Sequence, residues 1–479
     1  MNDIDINIYA ANIHSFIFQI QTGIDENFQP LYFPREWVNN TYQTIIQSFP
    51  DFTEKTLDLR EDTPKVSRFS LLAKGKPYRL FSSQTLNPKT NKPYRKLLVY
   101  PQQIADSYVL SLNLFIPQSS QTDKIKIEHL KEFNPNHCLQ INTKLGQTFL
   151  ITAFLDPNIT EDKEKIANQC LHHLLNLSLE EIQAKFYRKG ELFNSEIIEY
   201  GNPKLDKFHA LILFFAEESS SENFNKIYWE LPSLLLYHHK IITAYADSRL
   251  DYHELDKKVS EIETLISSLN SQPQKNQILS SNELEDFNQK LKQLLTLSLD
   301  YSRKLRNLEY YQNTIAIHSS NYQTKLNYLQ KLTNNNLDFF TSLCREEWTT
   351  LQTQIKADLN YFHQGTIILN QGIESIRGLI EIDQAKSDRL KQDREKQKDI
   401  RLQITILAIG SGLGVAGIIS ASYPLITPQT PLIPPSLRLL PPFYESIILS
   451  LIGGIIAYLT IELIARIIRT IFGTQIHLS

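Results

Sequence analysis

Hydrophobic and polar positions follow three different rhythms along the chain. Through about residue 217, apolar residues alternate in short runs, and 15–21, 95–100, 107–116, 138–142, 147–155 and 208–216 each predict a strand. Within 107–116, Leu110, Leu112, Leu114 and Ile116 share one face and Val109, Ser111, Asn113 and Phe115 the other, so the first face is expected to be the more buried. The stretch Asn142-Thr143-Lys144-Leu145-Gly146 predicts a hairpin turn with Gly146 at positive φ. Helices are expected over 36–48, from near Thr160 and from near Ser178, where Ser178-Leu179-Glu180-Glu181 has the form of a capping box. Strands clustered in sequence, with helices that do not strictly alternate with them, predict an α+β cytosolic N-terminal domain over 1–217 rather than a doubly wound sheet.

From about Pro232 the rhythm becomes helical. Leu250, Leu255, Val259, Ile262 and Leu265 recur at helix spacing, and Ser271-Gln272-Pro273-Gln274 begins a break. A second helix starts at Ser280 or Asn282, with Glu283 and Glu285 in its first turn, and runs to about Leu332. These two form an expected helical hairpin over 218–336, closed by Thr333-Asn334-Asn335-Asn336. A stalk helix over 337–403 follows, with Leu351, Ile355, Leu359 and Phe362 in a seam too irregular for a strict heptad coiled coil. Gly365, Gly372 and Gly378 each weaken it by ~1 kcal/mol relative to alanine and are expected points of bending.

The third rhythm is continuous. No charged residue occurs between Leu402 and Leu437. The segment 404–423 is an expected first transmembrane helix, since about twenty apolar residues cross a hydrocarbon core of ~30 Å. A proline-rich external loop (424–443) follows, then a second expected span (444–468) and a tail (469–479). Lys386, Arg389, Lys391, Arg394, Lys396, Lys398 and Arg401 precede the first span, Arg466 and Arg469 close the second, and the loop carries only Arg438. That asymmetry places both termini in the cytoplasm of a multi-pass protein of the cell inner membrane. A buried helical hairpin of a soluble protein is the alternative.

The first span contains Gly412-Leu413-Gly414-Val415-Ala416-Gly417, the string of a dinucleotide-binding turn. That chemistry needs a βαβ unit and an acidic residue about twenty positions on, whereas the next acid here is Glu445. Helix packing is the better reading. Ala408, Gly412, Ala416 and Ser420 recur every fourth residue, Gly410 and Gly414 lie beside them, and the second span pairs Ser450 with Gly454 and Gly453 with Ala457. Small residues let membrane helices approach closely, so both faces are candidates for packing between the spans and between copies. Glu462, inside the second span, has Arg466 four residues on, which predicts an ion pair at the membrane interface.

Composition adds contrast more than class. Seven of the 15 glycines lie at or after Gly410, and seven of the 21 prolines between Pro424 and Pro442, so the C-terminal part is a different material from the rest. A net charge of −3 gives no global argument for nucleic acid. Cys138, Cys170 and Cys344 are scattered and imply a reducing compartment. Cys170-Leu171-His172-His173 and His238-His239 invite a metal reading, but no second pair stands at ligand spacing, and packed or surface histidines are the expectation. No P-loop, G-x-S-x-G or H-E-x-x-H is present, so no catalytic or cofactor-binding residue is assigned and an enzyme is not expected.

The layout of α/β domain, helical region, long stalk, first span, short outer loop, second span and basic end resembles the CorA family of divalent-cation channels. The resemblance covers most of the chain and is architectural. The family's Gly-Met-Asn at the outer end of the first span is absent: no methionine follows Met1, and Ser422-Tyr423-Pro424-Leu425-Ile426 stands there. Membership implies a homo-oligomer, a pentamer in that family, with a central pore lined by the first span, whose few polar side chains here include Thr405, Ser411 and Ser420. It also implies a divalent cation as cargo and the lipid bilayer as surroundings. CorA-like proteins further serve as effectors in prokaryotic defence. Two functions are therefore expected: an oligomeric channel or pore-forming effector gated by its cytosolic domain, or a membrane-tethered scaffold recruiting a cytosolic partner through its helices.

Overall fold

The structure, a computed structural model, describes residues 6–24, 30–50, 52, 56–81, 95–115, 124–204, 207–270, 281–388, 396–422, 448–460 and 463–464. The chain forms two compact units, Met1–Lys257 with Arg303–His363, and Lys258–Ser302 with Gln364–Ser479.

In chain order the first unit opens with β1 (Asn7–Ile20), the small ribbon β2 (Thr22–Ile24) and β3 (Pro30–Tyr32), α1 (Glu36–Ile46), β4 (Arg68–Ser70), β5 (Tyr78–Phe81), β6 (Lys96–Ile104), β7 (Ser107–Phe115) and β8 (Lys124–Lys126). A 3-10 stretch (Ile127–Phe133) leads to β9 (Gly146–Leu155), α2 (Lys163–Leu175), α3 (Leu179–Lys185), β10 (Phe186–Leu192), β11 (Ser195–Tyr200), β12 (Phe208–Phe215) and α4 (Glu218–Tyr228). The main sheet runs β10-β11-β12-β9-β1-β7-β6-β4, with β5 also on β6 and β8 on the start of β1. It is mixed: β9 and β12 are parallel, and the other described pairs are antiparallel. This is the expected α+β class.

Both faces of the sheet are covered, which sets the pattern of side chains on every central strand. One face carries Ile13, Ile17, Leu110, Leu112, Leu114, Phe149, Ile151, Ala210 and Ile212 into a core shared with Tyr42 and Ile45 of α1 and Ile166, Cys170 and Leu174 of α2. The other face presents His14, Phe16 and Phe18 of β1 to α4 and to the helix after it, through ring contacts with Tyr228 and His239. Val109 and Ser111 are therefore buried as fully as Leu110 and Leu112. The expected difference between the two faces of β7 survives only toward its end, where Asn113 and Phe115 are half-buried.

Residues 138–142 do not form the expected strand. Side chains satisfy that backbone instead of a neighbouring strand: Leu139 N–H donates to Asn134 Oδ1 at 2.8 Å, Ile141 N–H donates to Gln147 Oε1 at 3.1 Å, and Gln147 Nε2 donates to the Leu139 carbonyl. Gly146 does take positive φ, at 109°. The capping box at α3 forms in both directions, Glu181 N–H donating to Ser178 Oγ at 3.2 Å and Ser178 N–H to Glu181 Oε2 at 2.8 Å.

The helical region comprises α5 (Leu231–Asn270), α6 (Ser281–Thr333), α7 (Asp338–Ser342), a single π-helical turn over Leu343–Trp348, α8 (Thr349–Asp388) and α9 (Lys396–Ser422). Within the first unit, Leu255, Leu308, Leu351, Ile355, Leu359 and Phe362 are buried. Asp251 there accepts from Lys304 at 2.9 Å and Asn307 at 3.0 Å, and Arg249 pairs with Asp358. Within the second unit, Val259, Ile262, Leu291, Leu294, Leu369, Ile376 and Ile380 are buried. Leu250, grouped with the apolar spacing of α5, is instead 66% exposed. The expected break at 271–276 lies outside the described residues; α6 ends at Thr333, and Asn334 has a φ of 53°. α8 continues through all three of its glycines, two of which admit a neighbour: Tyr301 occupies the space a Cβ would take at Gly365, and Ile266 does so at Gly372.

Candidate functional site

A row of polar side chains crosses four adjacent strands on the α5 side of the sheet. Arg188 on β10 is paired directly with Glu199 on β11. Glu199 stands opposite Leu211 on β12, so His209, two residues earlier, is its diagonal neighbour on the same face. His209 in turn pairs with Thr148 on β9. The first turns of α5 then lay His238 and His239 onto this row. Glu199, His209, His238, His239 and Thr148 are each at most 2% exposed.

The bonds run in a chain. Arg188 Nε donates to Glu199 Oε2 at 2.5 Å, and His209 Nε2 lies 3.1 Å from Glu199 Oε1. Thr148 Oγ1 sits 2.8 Å from both His209 Nδ1 and His239 Nε2. A hydroxyl donates once, so it points to one imidazole and accepts from the other. Arg188 also donates to Ser342 Oγ and stacks over the Phe339 ring at 4.2 Å, which ties β10 to α7. Burial raises the Glu199 carboxyl, but the His209 hydrogen bond and the Arg188 charge outweigh it, and the net shift is downward. Glu199 is thus a buried carboxylate with two partners.

His238 Nε2 is unpartnered among the described residues, as is the Nδ1 of His239. The His238 ring lies 4.2 Å from that of His209 and edge-on to Trp348 at 5.4 Å, yet its Nε2 is buried with no hydrogen-bond partner. Burial first, then His209, His239 and Arg188, hold the imidazole well below its ordinary range, so it is neutral with an available lone pair. An orphaned buried nitrogen costs about 1–3 kcal/mol. Hydroxyl, imidazole and carboxylate stand here in the order of an acyl-transfer triad. The burial of Thr148 and its second imidazole leave no approach for an acyl group.

Farther along the same face, a cavity of about 550 Å³ is lined by His14, Asn113, Thr152, Phe224, Tyr228 and Trp229, among others. His14 is 3% exposed, its Nδ1 lies 3.3 Å from Tyr228 Oη, and its Nε2 has no described partner. Burial pushes its pKa down to about 3, against about 6.5 in the unfolded chain. Between those values the unfolded chain binds the extra proton. Stability therefore falls as pH drops below 6.5, by ~1.4 kcal/mol per pH unit. His318, pushed down to about 4 by burial and by Lys240, with Asp106 opposing, acts in the same sense. Denaturant unfolding of the full chain should show lower stability at pH 5 than at pH 7.5, and His14→Asn should remove about 2 kcal/mol of that difference. An unchanged pH slope in the variant would refute the assignment to His14.

In the second unit the small residues of the two C-terminal apolar segments meet. Gly412 and Gly454 face each other so closely that a Cβ on either would lie 3.4 Å from the carbonyl oxygen of the other, and one on Gly454 would lie 3.6 Å from Ala416 Cβ. Ala408 and Ser450 are 2% and 4% exposed, and Gly453 and Ala457 are half-buried beside them. Large side chains of the same segments are not covered: Leu407, Ile418, Leu451, Ile455, Ile456 and Leu459 are all exposed. Gly410 and Gly414 have open space where a Cβ would stand. Among the described residues no helix is long and apolar enough to cross a membrane. The backbone of Ser420 is helical. Glu462, Arg466 and the expected loop at 424–443 lie outside the described residues.

Sequence patterns singled out His238-His239 but not its neighbours. Glu199 and His209 had a weak signal, an acid and an imidazole beside apolar residues, in Ile197-Ile198-Glu199-Tyr200 and Phe208-His209-Ala210-Leu211. The other histidine pair is local: His172 Nδ1 lies 2.6 Å from the Leu177 carbonyl, and its ring packs against His173. The three cysteines are free, and burial pushes Cys170 up to about 12 and Cys138 and Cys344 up to about 11, so they are inert thiols. No family model matches the chain, and no curated protein or solved structure matches it.

Proposed function

We propose that the chain is an integral membrane protein held by two C-terminal spans, 404–423 and 444–468, with its α+β domain and long helices in the cytoplasm. We further propose that it works as a homo-oligomeric, CorA-like channel or pore-forming effector. The observation that carries the membrane reading is the inside-out packing of the hairpin. The backbones approach closely at Gly412 and Gly454 while leucine and isoleucine side chains are exposed. In water that arrangement exposes the apolar surface that folding normally hides; in lipid it is the stable one, because tight contact between small faces drives association and the tails solvate the rest. The uncovered Gly410 and Gly414 offer a second small surface to a neighbouring copy. The channel reading rests on the architectural resemblance, with a divalent cation as cargo.

The test is alkaline extraction of membranes from cells making the full chain. The protein should stay in the pellet, and Ile455→Asp with Ile456→Asp should release it, since each charge costs about 3 kcal/mol of insertion. Recovery of the wild-type chain in the supernatant would sink the membrane reading. A detergent-solubilised chain that is monomeric, or liposomes that pass no Mg²⁺, would sink the channel reading alone. Gly412→Leu should abolish the flux by separating the two spans.

A further inference from the structure

We propose that Glu199, His209 and His238 form a buried three-ligand site for a divalent transition-metal ion of the zinc class. Each residue offers one ligand atom, and the three atoms lie within 4.8 Å of one another. Two imidazoles and a carboxylate are a donor set that zinc accepts readily, and ferrous iron shares it. The surroundings have the form of a second shell. Thr148 Oγ1 lies 2.8 Å from His209 Nδ1, and Arg188 Nε holds the distal oxygen of Glu199 at 2.5 Å. Such partners fix the ring and carboxylate of a ligand and leave the facing atoms for the metal. The buried Nε2 of His238, which has no partner among the described residues, gains one when a cation sits between the three.

Thr148 makes loading possible without breaking the network. In the metal-free arrangement His209 carries its hydrogen on Nε2 and donates to Glu199, Thr148 donates to His209 Nδ1, and His239 Nε2 donates to Thr148. With a cation bound, His209 carries its hydrogen on Nδ1 and donates to Thr148, Thr148 turns to donate to His239 Nε2, and His239 holds its hydrogen on Nδ1. Each imidazole keeps one hydrogen and Glu199 stays ionised, so no net proton is released. The ligands come from β11, β12 and α5, so the ion would pin the helix to the sheet. The burial of all three gives it a structural rather than a catalytic role.

Metal analysis by plasma mass spectrometry of the full chain, purified in detergent without affinity metal, tests this directly. The expected result is about one zinc or iron per chain, lost on chelation and replaced stoichiometrically by Co²⁺ with the visible absorption of a low-symmetry nitrogen–oxygen site. His238→Phe keeps a ring against Trp348 and should abolish the Co²⁺ band while circular dichroism stays unchanged. A wild-type chain that is folded but carries no stoichiometric metal and takes up no Co²⁺ would overturn the site. So would Co²⁺ binding that persists with both His209→Ala and His238→Phe in place.

Discussion

Replacing Gly201 with alanine should cost ~3 kcal/mol or more and leave the β11–β12 connection unable to close. Two physical costs add at this position. Gly201 has a φ of 102°, a region that any residue with a Cβ enters only at a strain of about 1–3 kcal/mol. A Cβ built there also falls 1.8 Å from the Phe208 carbonyl oxygen. That oxygen belongs to the first residue of β12, whose parallel register with β9 begins at Phe208 opposite Gln147, so it cannot retreat without shifting the centre of the sheet. Gly75 provides the control. Its φ is 68°, and nothing lies within 4 Å of an added Cβ, so Gly75→Ala should cost only ~1 kcal/mol. Denaturant unfolding of the two variants separates strain from collision; equal midpoints would refute the steric argument.

Arg188→Met should destabilise the first unit by about 3–5 kcal/mol, because it strips a buried carboxylate of its cation. Glu199 would keep only His209, and the guanidinium contact over Phe339 would vanish with the charge. Glu199→Gln placed on top of Arg188→Met should recover much of the loss, since the cost lies in the unpaired charge more than in the missing contact. Chelated protein is the right sample for this cycle, so that a bound cation does not substitute for the arginine. Additive losses in the double variant would show that the two side chains do not form a coupled pair.

The legible parts of the fold were those with a local cause. Alternation revealed β1, β6, β7, β9 and β12, the Ser178–Glu181 pair set the start of α3, and Leu351, Ile355, Leu359 and Phe362 marked the buried stripe of α8. β10 and β11 escaped because Phe186-Tyr187-Arg188-Lys189-Gly190-Glu191-Leu192 is polar along most of its length and Ser195–Tyr200 is short. They are strands because β12 offers them an edge. Residues 138–142 read as a strand and are not one, since Asn134 and Gln147 reach their backbone first. The spacing of small residues was legible in the C-terminal apolar segments, while the meeting of Gly412 with Gly454 depends on the pairing of two helices.

The sequence by itself determined the periodicities: strand alternation before residue 217, helix spacing after it, and, toward the C-terminus, long apolar segments with small residues, the first of them free of charge. Period and capping act over a few residues and are written in the chain directly. Only the tertiary structure decided which polar groups share a buried site. Arg188, Glu199, His209 and His238 are separated by up to 50 positions and become neighbours through the β10-β11-β12 register and the docking of α5. Such proximity is a property of strand order and helix placement, set by burying the apolar positions between the charged ones.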